Sequence, residues 1–353
     1  MSTGRLHVLV PFFLPFGGVI KILDYAQHAR AAGLDVRLWS PAQLDPEGPL
    51  FRIERLRDLV DVDFRARYPT RGGIKRDDLF LISRPDDYEA ALRSLPIGLS
   101  PLRVVHLVQN VRHRTPTWRH GYATRLLTRP VSRIAINDIV AEAISPWLDP
   151  RSPLRVVRIG HESEYFARDV DGGWPDDRPL RVAYTTWKSD VGDRAAKALD
   201  AGAGGAGARP VEWRAIRESV SWAELRELYH WADVFLGTPD PEEGMYLPGL
   251  EAMAAGCVVI TPDCGGNMAY ARPGENCVLV DYDDADDYAR AVREVAGWSA
   301  EQVVASRTAG YEQPPRFRLD DEARGFIEVL DEVRELARAH EAGAAPSGAT
   351  RAD

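Results

Sequence analysis

The sequence DPEEGMYLPGLEAMAAGCVVIT, residues 240–261, contains the pattern that decides the fold. An apolar run at 234–236 predicts a strand that ends in this acidic loop. Pro248 suits the first turn of a helix, Gly256 suits its end, and the β-branched run at 258–261 predicts the next strand. A strand, a helix and a strand in this order predict an α/β fold with a parallel sheet.

Two carboxylates of this stretch are candidate binding groups. Glu243 lies at the mouth of the acidic loop, and Glu251 lies eight residues later, about one turn into the helix. Both can face the crevice at the carboxyl edge of the sheet, where open α/β sheets bind ligands. Carboxylates accept hydrogen bonds from vicinal hydroxyls, so a sugar and a ribose suit this pair. The alternative is that an acid early in a helix only complements the helix dipole.

The loop after the next strand contains a pair of glycines, Gly265 and Gly266. These residues allow close main-chain approach, and the amides that follow can hold a phosphate. A plain turn is the alternative for an isolated glycine pair. The position directly after the acidic loop favours the phosphate-binding interpretation.

Similar strand and helix patterns recur along the chain and predict two Rossmann-like domains, at residues 1–165 and 178–320. A loop rich in Gly, Pro and acids, 169–179, suits a linker, and we place the boundary near 165–178. The Gly/Ala segment 201–208 predicts a flexible surface loop. A last helix over 321–341 is expected to cross back to the first domain, and residues 342–353 have the composition of a disordered tail. The predicted strands are 6–12, 36–39, 79–82, 104–108, 134–136, 181–184, 211–216, 234–236, 258–261 and 277–280.

The composition excludes several classes of protein. The 353 residues are 45% hydrophobic, which rules out disorder, and the net charge of −9 argues against general nucleic-acid binding. Residues 1–160 carry 24 Lys+Arg against 16 Asp+Glu, or +8, so the remainder carries 20 against 37, or −17. Three cysteines without CxxC spacing suggest neither a disulfide framework nor a thiolate metal site. No apolar run approaches the roughly 20 residues that span a bilayer, so we expect a cytoplasmic protein with at most peripheral contact at the inner membrane face.

The run from Glu243 to Val280 closely resembles the donor-binding half of retaining glycosyltransferases of family four, within the group 1 glycosyl transferases. The resemblance is specific over residues 223–280 and weaker at Gly17-Gly18 and at 159–166. It implies the GT-B fold, in which two Rossmann-like domains face each other across a cleft. The implied reaction is transfer of a hexosyl or deoxyhexosyl group from a nucleoside-diphosphate sugar to an acceptor hydroxyl, in carbohydrate or natural-product biosynthesis. The implied cofactor requirement is none, and no metal is expected.

The resemblance also implies a role for individual residues. Glu243 is expected to bind the hydroxyls of the transferred sugar, and Glu251 the ribose of the nucleotide. Lys188 matches the lysine that neutralises the diphosphate leaving group, and His106 resembles a histidine that lies beside the donor sugar, with a structural histidine as the alternative. The other implied donor-binding residues are Gly17, Gly18, Gly244, Met245, Tyr246, Leu247, Gly265, Gly266, Asn267 and Met268.

The sequence departs from the family pattern at three places. The arginine that precedes the family's lysine has no counterpart among Tyr184, Thr185 and Thr186. Tyr246 replaces a glycine and is expected to narrow the sugar pocket, and Ala269 replaces an acid. These departures keep two alternatives open, which are a non-catalytic nucleotide-sugar-binding protein and a sugar phosphorylase or epimerase on the same fold.

A basic stretch in the first domain is the candidate acceptor site. No acid occurs between Glu89 and Asp138, and Asn110, Arg112 and Arg114 follow the strand that contains His106. An anionic or glycan acceptor suits these side chains, whereas a solvated basic face is the alternative.

The sequence also contains two aspartate pairs, at 61–63 and 169–171. Neither pair closes a strand in a nucleotide-binding context, so both are interpreted as solvated loops.

Overall fold

The computed structural model describes residues 4–14, 16–201, 209–218 and 220–343. The chain forms two compact units. The first unit comprises the residues up to Arg158 together with those from Asp320 onward, and the second unit comprises Ile159–Leu319. No helix among the described residues is long and apolar enough to cross a membrane.

The first unit is built on a parallel sheet of seven strands in the order β3-β2-β1-β4-β5-β6-β7. The central strands are buried and mostly apolar, as expected for a parallel sheet that is covered on both faces. Its strands are β1 Leu6–Leu9, β2 Val36–Trp39, β3 Asp63–Arg65, β4 Leu79–Ile82, β5 Val104–Val108, β6 Ser132–Ala135 and β7 Leu154–Val156. Its first four α-helices are α1 Gly17–Ala31, α2 Pro85–Ser94, α3 Tyr122–Leu127 and α4 Asp138–Ile144.

The second unit has a five-stranded parallel sheet in the order β12-β11-β10-β8-β9. Its strands are β8 Leu180–Thr185, β9 Val211–Ile216, β10 Val234–Leu236, β11 Val258–Pro262 and β12 Cys277–Val280. Its helices are α5 Val191–Ala201, α6 Trp222–Trp231, α7 Leu247–Ala254, α8 Ala285–Ala296 and α9 Ala300–Tyr311. The α/β class that the sequence predicts is therefore confirmed in both units. The short edge strands β3 and β7 were not predicted, because neither is apolar enough to stand out.

The segment predicted as a linker is instead packed into the second unit. Trp174 lies in the hydrophobic core, and its indole N–H donates to the carbonyl of Val295 at 2.8 Å. The guanidinium of Arg307 lies 5.0 Å from the centroid of the same ring. One large aromatic residue thus anchors a segment whose glycines, prolines and acids suggested a flexible connection. The division between the units lies at residues 158–159, before the predicted 165–178.

The last helix, α10 Leu319–Glu341, belongs to the first unit from Asp320 onward. Lys21 on α1 contacts Glu322 and Asp24, each at 2.9 Å, and is only 3% exposed. Lys21 is therefore a buried, ion-paired residue that joins α1 to α10. At the other end of α10, the buried guanidinium of Arg103 makes two hydrogen bonds to Glu341, at 2.7 and 3.1 Å.

Two sequence predictions fall on segments that the structure does not describe. Most of the Gly/Ala-rich loop predicted at 201–208 lies outside the described residues, which resume at 209. The tail predicted at 342–353 lies outside them from residue 344 onward.

Candidate functional site

Three loops of the second unit meet at the carboxyl edge of its sheet. Strand β10 pairs with β8 on one side and with β11 on the other, and all three run parallel. The loops that leave these strands are therefore neighbours. They carry Lys188 after β8, Glu243 after β10 and the Gly265-Gly266 pair after β11.

The acidic and basic groups predicted for the donor site lie in contact. The Nζ of Lys188 forms an ion pair and hydrogen bond with Oε1 of Glu243. The same oxygen accepts a hydrogen bond from the amide of Asp240 at 3.3 Å. Glu243 is 8% exposed, whereas the side chain of Lys188 is 35% exposed. The sequence separates these two residues by 55 positions, and the parallel β8–β10 pairing brings them together.

The glycine pair packs its main chain directly against the acidic loop. Glu243 and Gly265 form a parallel bridge, and the amide of Gly266 donates to the carbonyl of Glu243 at 3.0 Å. A Cβ on Gly266 would lie 1.9 Å from the carbonyl oxygen of Gly244, so only glycine fits at this approach. Gly265 has a φ of +91°, in the left-handed region that favours glycine. The glycines are thus explained by the contact between the two loops.

Two of the main-chain amides predicted to hold pyrophosphate, and the side chain of Asn267, already have partners within the loop. The amide of Gly265 donates to Oδ1 of Asp263 at 2.7 Å, and that of Met268 donates to the carbonyl of Gly265 at 3.1 Å. Asn267 is fully buried, and its Oδ1 accepts from the amide of Cys264 at 3.0 Å. The side chain of Asn267 therefore shapes the loop and is not on the surface that a ligand contacts. Pyrophosphate binding by the neighbouring amides stays a prediction.

Tyr246 does not project into a pocket as the sequence suggested. It has a φ of +50°, an uncommon conformation for a non-glycine residue, and its side chain is only 4% exposed. Its hydroxyl oxygen accepts from the amide of Thr238 at 2.8 Å, while its carbonyl accepts from the hydroxyl of Tyr270 at 2.7 Å. The ring centroid lies 5.5 Å from the Nζ of Lys188, within cation–π distance. Tyr246 is thus a buried support for Lys188, and burial raises the pKa of its hydroxyl.

Three other residues at the start of α7 were predicted to contact the donor. Met245 is buried, 4% exposed, and packs with the core rather than facing solvent. Leu247 is the first residue of α7 and is half-buried, and Gly244 is enclosed by Gly266. Of this group, Leu247 is the one whose side chain reaches the surface.

Glu251 lies on α7 and has a partner for each carboxylate oxygen. Oε1 accepts from Nε2 of His161 at 2.8 Å, and Oε2 accepts from the hydroxyl of Tyr229 at 2.9 Å. Glu251 is 5% exposed. Burial and the nearby carboxylate raise the pKa of Tyr229 well above its ordinary value, so the hydroxyl stays a donor. Neither partner was anticipated, because residues 161 and 229 carry no local signal that links them to residue 251.

Two groups of predicted residues lie at the carboxyl edge of the first sheet. Gly17 and Gly18 are predicted to bind the donor, and the residues after β5 are predicted to bind the acceptor. The glycine pair Gly17-Gly18 begins α1, and the Nε2 of Gln109 donates to the carbonyl of Gly18 at 3.1 Å. Gln109 follows β5, so this bond ties the loop after β5 to the start of α1. Asn110 and Arg112 are half-buried and Arg114 is exposed. The guanidinium of Arg112 lies 5.9 Å from the ring centroid of Trp118.

His106 is placed differently from the prediction. It lies in the middle of β5, it is fully buried, and both of its ring nitrogens lack a hydrogen-bond partner among the described residues. Burial, with smaller contributions from His113 and Arg133, lowers the pKa of His106 well below its ordinary value. The side chain therefore does not reach a ligand at the surface. The strand continues for two residues beyond His106, so the first side chains to clear the sheet edge are Gln109 and Asn110.

No group of three or more His, Cys, Asp or Glu side chains in the described parts of the chain is arranged to hold a metal ion. The three cysteines are buried, and burial raises the pKa of each thiol to about 12. The thiols are therefore protonated at neutral pH.

Each of the two units is a parallel sheet with covering helices, and this α/β architecture is that of the GT-B glycosyltransferases that the chain resembles in structure. The family model described as Glycosyl transferases group 1 matches residues 191–297 of the chain. This match contains the stretch 223–280 and confirms the resemblance to the group 1 glycosyl transferases.

Solved structures with the same fold cover almost the whole chain. HepE of Anabaena, in complex with UDP and glucose, is 14% identical with a TM-score of 0.68, over 93% of this chain and 99% of that one. The sucrose-phosphate synthase of Thermosynechococcus elongatus is 16% identical with a TM-score of 0.65, over 93% and 99%. A glycosyltransferase of Rickettsia africae is 13% identical with a TM-score of 0.66, over 94% and 99%. The comparison with curated protein sequences finds no significant match.

Proposed function

We propose that this protein is a retaining glycosyltransferase that moves a sugar from a nucleoside diphosphate to an acceptor hydroxyl. The observation that carries the proposal is the contact between Lys188 and Glu243 at the carboxyl edge of the second sheet. It places a cation that suits a diphosphate beside a carboxylate that suits sugar hydroxyls. In a nucleoside-diphosphate sugar, the diphosphate and the sugar hydroxyls occupy adjacent positions.

The donor is assigned to the second unit. Lys188 contacts the diphosphate, Glu243 accepts hydrogen bonds from the sugar, and the main chain at Gly265-Gly266 closes the same side. HepE of Anabaena has been solved with UDP-glucose, which makes uridine diphosphate sugars the first donors to test. The transferred group is a hexosyl or deoxyhexosyl residue.

The reaction proceeds by attack on the same face of the sugar that the diphosphate leaves. The bond between the anomeric carbon and the phosphate oxygen breaks, a bond from the acceptor oxygen to that carbon forms, and the acceptor proton passes to the departing phosphate oxygen. Lys188 stabilises the negative charge that grows on the diphosphate. The proposal includes no metal ion, so a chelator should leave the rate unchanged.

The acceptor is assigned to Asn110, Arg112 and Arg114 of the first unit. They follow directly after the Gln109–Gly18 contact at the carboxyl edge of the first sheet. An acceptor with an anionic or glycan group fits their side chains. Arg114→Ala should then weaken the dependence of the acceptor Michaelis constant on salt concentration.

The test is a transfer assay with a panel of nucleoside-diphosphate sugars, with and without an acceptor fraction from a cell extract. We expect release of nucleoside diphosphate and labelling of an acceptor, both lost in Glu243→Ala and Lys188→Ala. The exposed residues Lys197 and Glu227 of the same unit provide the matched controls Lys197→Ala and Glu227→Gln. Near-wild-type turnover in both site variants would refute the site, and transfer by an inverting route would refute the stereochemistry.

A non-catalytic nucleotide-sugar-binding protein is the second candidate. It is favoured by the absence of an arginine before Lys188, since one cation then faces the leaving group where the family has two. This candidate predicts donor binding by calorimetry without transfer to any acceptor. Conversion of the donor without an acceptor would instead indicate an epimerase, and dependence on inorganic phosphate a phosphorylase.

A further inference from the structure

The loop after β8 presents an exposed tryptophan directly before Lys188. Trp187 is 42% exposed, although large aromatic side chains are costly to leave in water. Its indole N–H donates to the carbonyl of Glu218 at 2.8 Å. The ring is therefore held at one edge while a large part of its surface stays open to solvent.

The neighbouring residue fixes the same loop to the end of β9. The amide of Thr186 donates to the carbonyl of Ile216, the last residue of β9, at 3.0 Å. Glu218 follows two residues later, so Thr186 and Trp187 are both tied to the segment that leaves β9. The orientation of the indole is thus set by main-chain contacts and does not require a ligand to order it.

The order of the strands determines the order in which the loops lie along this edge of the sheet. Along the order β11-β10-β8-β9, the loops carry Gly265, then Glu243, then Trp187 and Lys188, then Glu218. Lys188 contacts the β10 side through Glu243, whereas Trp187 contacts the β9 side through Glu218. The two adjacent side chains therefore make contacts on opposite sides of the β8 loop.

We propose that Trp187 is the stacking surface for the nucleobase of the donor. This inference rests on the proposed function, because it takes the diphosphate at Lys188 and the sugar at Glu243 as its reference points. A nucleoside-diphosphate sugar has its diphosphate in the middle, so with the sugar on the β10 side its nucleoside extends toward β9. An exposed, fixed indole at that position matches the planar face of a base.

The experiment compares two ligands that differ in having a nucleoside. The whole protein is titrated calorimetrically with UDP, with the other common nucleoside diphosphates and with inorganic pyrophosphate. Aromatic stacking on a base contributes about 1–3 kcal/mol, so Trp187→Ala should weaken nucleoside-diphosphate binding about 5- to 150-fold. Pyrophosphate binding should stay unchanged. Trp187→Phe keeps a ring and should retain most of the affinity.

Two further variants make the result specific. Trp147, in the first unit, is 38% exposed, so Trp147→Ala controls for loss of an exposed indole and should bind like the wild type. Lys188→Ala should weaken the binding of both ligands. Equal losses for both ligands in Trp187→Ala, or no loss for either, would overturn the stacking role. If the wild type binds pyrophosphate as tightly as any nucleoside diphosphate, the stacking role is overturned but the proposed function is not. If the wild type binds no nucleoside diphosphate, the proposed function is overturned as well.

Discussion

Lys188 and Glu243 form an ion pair in which the charge of each group offsets that of the other. The Glu243 carboxylate is almost buried, and the Lys188 ammonium also lies against the ring of Tyr246. A diphosphate at Lys188 therefore competes with the carboxylate, whereas a sugar hydroxyl donates to it. When Glu243 is neutralised, the binding of the diphosphate should therefore be unchanged or stronger, whereas the binding of the sugar should be weaker.

Glu243→Gln is expected to leave the affinity for a free nucleoside diphosphate unchanged or increased, and to weaken the affinity for the corresponding nucleotide sugar. Hydrogen bonds to charged groups contribute about 1.5–3 kcal/mol, so the loss for the sugar should be about 10- to 150-fold. Calorimetric titration with both ligands checks this, with Glu227→Gln as the control. A parallel loss for both ligands would show that Glu243 acts on the diphosphate side.

Tyr229→Phe should destabilise the second unit by about 1–3 kcal/mol, because it removes one of the two donors to the buried Glu251 carboxylate. The phenyl ring keeps the packing, so the change isolates the hydroxyl. Urea unfolding measures the free-energy difference. Tyr282, which is 45% exposed, provides the control Tyr282→Phe. A cost below about 0.5 kcal/mol would mean that Glu251 does not depend on this hydrogen bond.

Most strands could be predicted from the sequence because buried parallel strands are continuous apolar runs, and the edge strand β9 because its residues alternate between apolar and polar. Predicted strands 36–39, 79–82, 104–108, 211–216, 234–236 and 277–280 agree residue for residue with the structure. The polar edge strands β3 and β7 lack this signal. Around Trp174 the composition indicated a flexible linker, but one buried ring packs this segment into the second unit. Average composition does not reveal such a single anchoring residue.

The site was predictable where a motif is local and not where it depends on distant partners. Glu243 and the Gly265-Gly266 pair lie within one motif, and their loops are in contact. The partners of Glu251 come from residues 161 and 229, which no periodicity links to it. The prediction that His106 faces the cleft differs from the structure for a geometric reason. A strand alternates its side chains between two faces, and residue 106 precedes the end of β5.

Gly266→Ala should destabilise the second unit by about 1–3 kcal/mol and weaken nucleotide binding, since its Cβ would lie 1.9 Å from the carbonyl oxygen of Gly244. The main chains of the two loops must separate to admit the methyl group. Gly297→Ala is the matched control, because its nearest contact is 3.5 Å and its φ is −90°. Thermal unfolding and nucleotide titration check both variants. Similar behaviour of the two variants would contradict a tight approach of the loops.

Glu341→Gln should destabilise the first unit by about 3–5 kcal/mol at pH 7, because it leaves the buried Arg103 guanidinium without a charged partner. Burial raises the pKa of Glu341, but hydrogen bonds from Arg103 and from the Ser100 amide outweigh it, and the net pKa is lowered from about 4.5. The stabilisation is therefore complete above about pH 4.5 and is lost as the pH falls through the lowered folded-state value. Urea unfolding of the wild type, Glu341→Gln and the exposed control Glu335→Gln should show a difference that shrinks below pH 4.5. A difference that does not change with pH would exclude the ion pair as its source.

His106→Leu tests both the burial and the function of this histidine. Because its folded-state pKa lies well below the ordinary 6.5, the unfolded chain binds a proton that the folded chain does not once the pH falls below 6.5. The free energy of unfolding of the wild type should therefore contain a term that decreases by about 1.4 kcal/mol per pH unit below 6.5, and this term should be absent in His106→Leu. Urea unfolding at pH 7.5 and pH 5.5 measures it as the difference between the two proteins. Because the ring is fully buried, the variant should also retain kcat/KM within about threefold in the transfer assay. A loss of activity of 100-fold or more, in a variant that unfolds like the wild type at pH 7.5, would restore the catalytic role that its place in the sequence suggested.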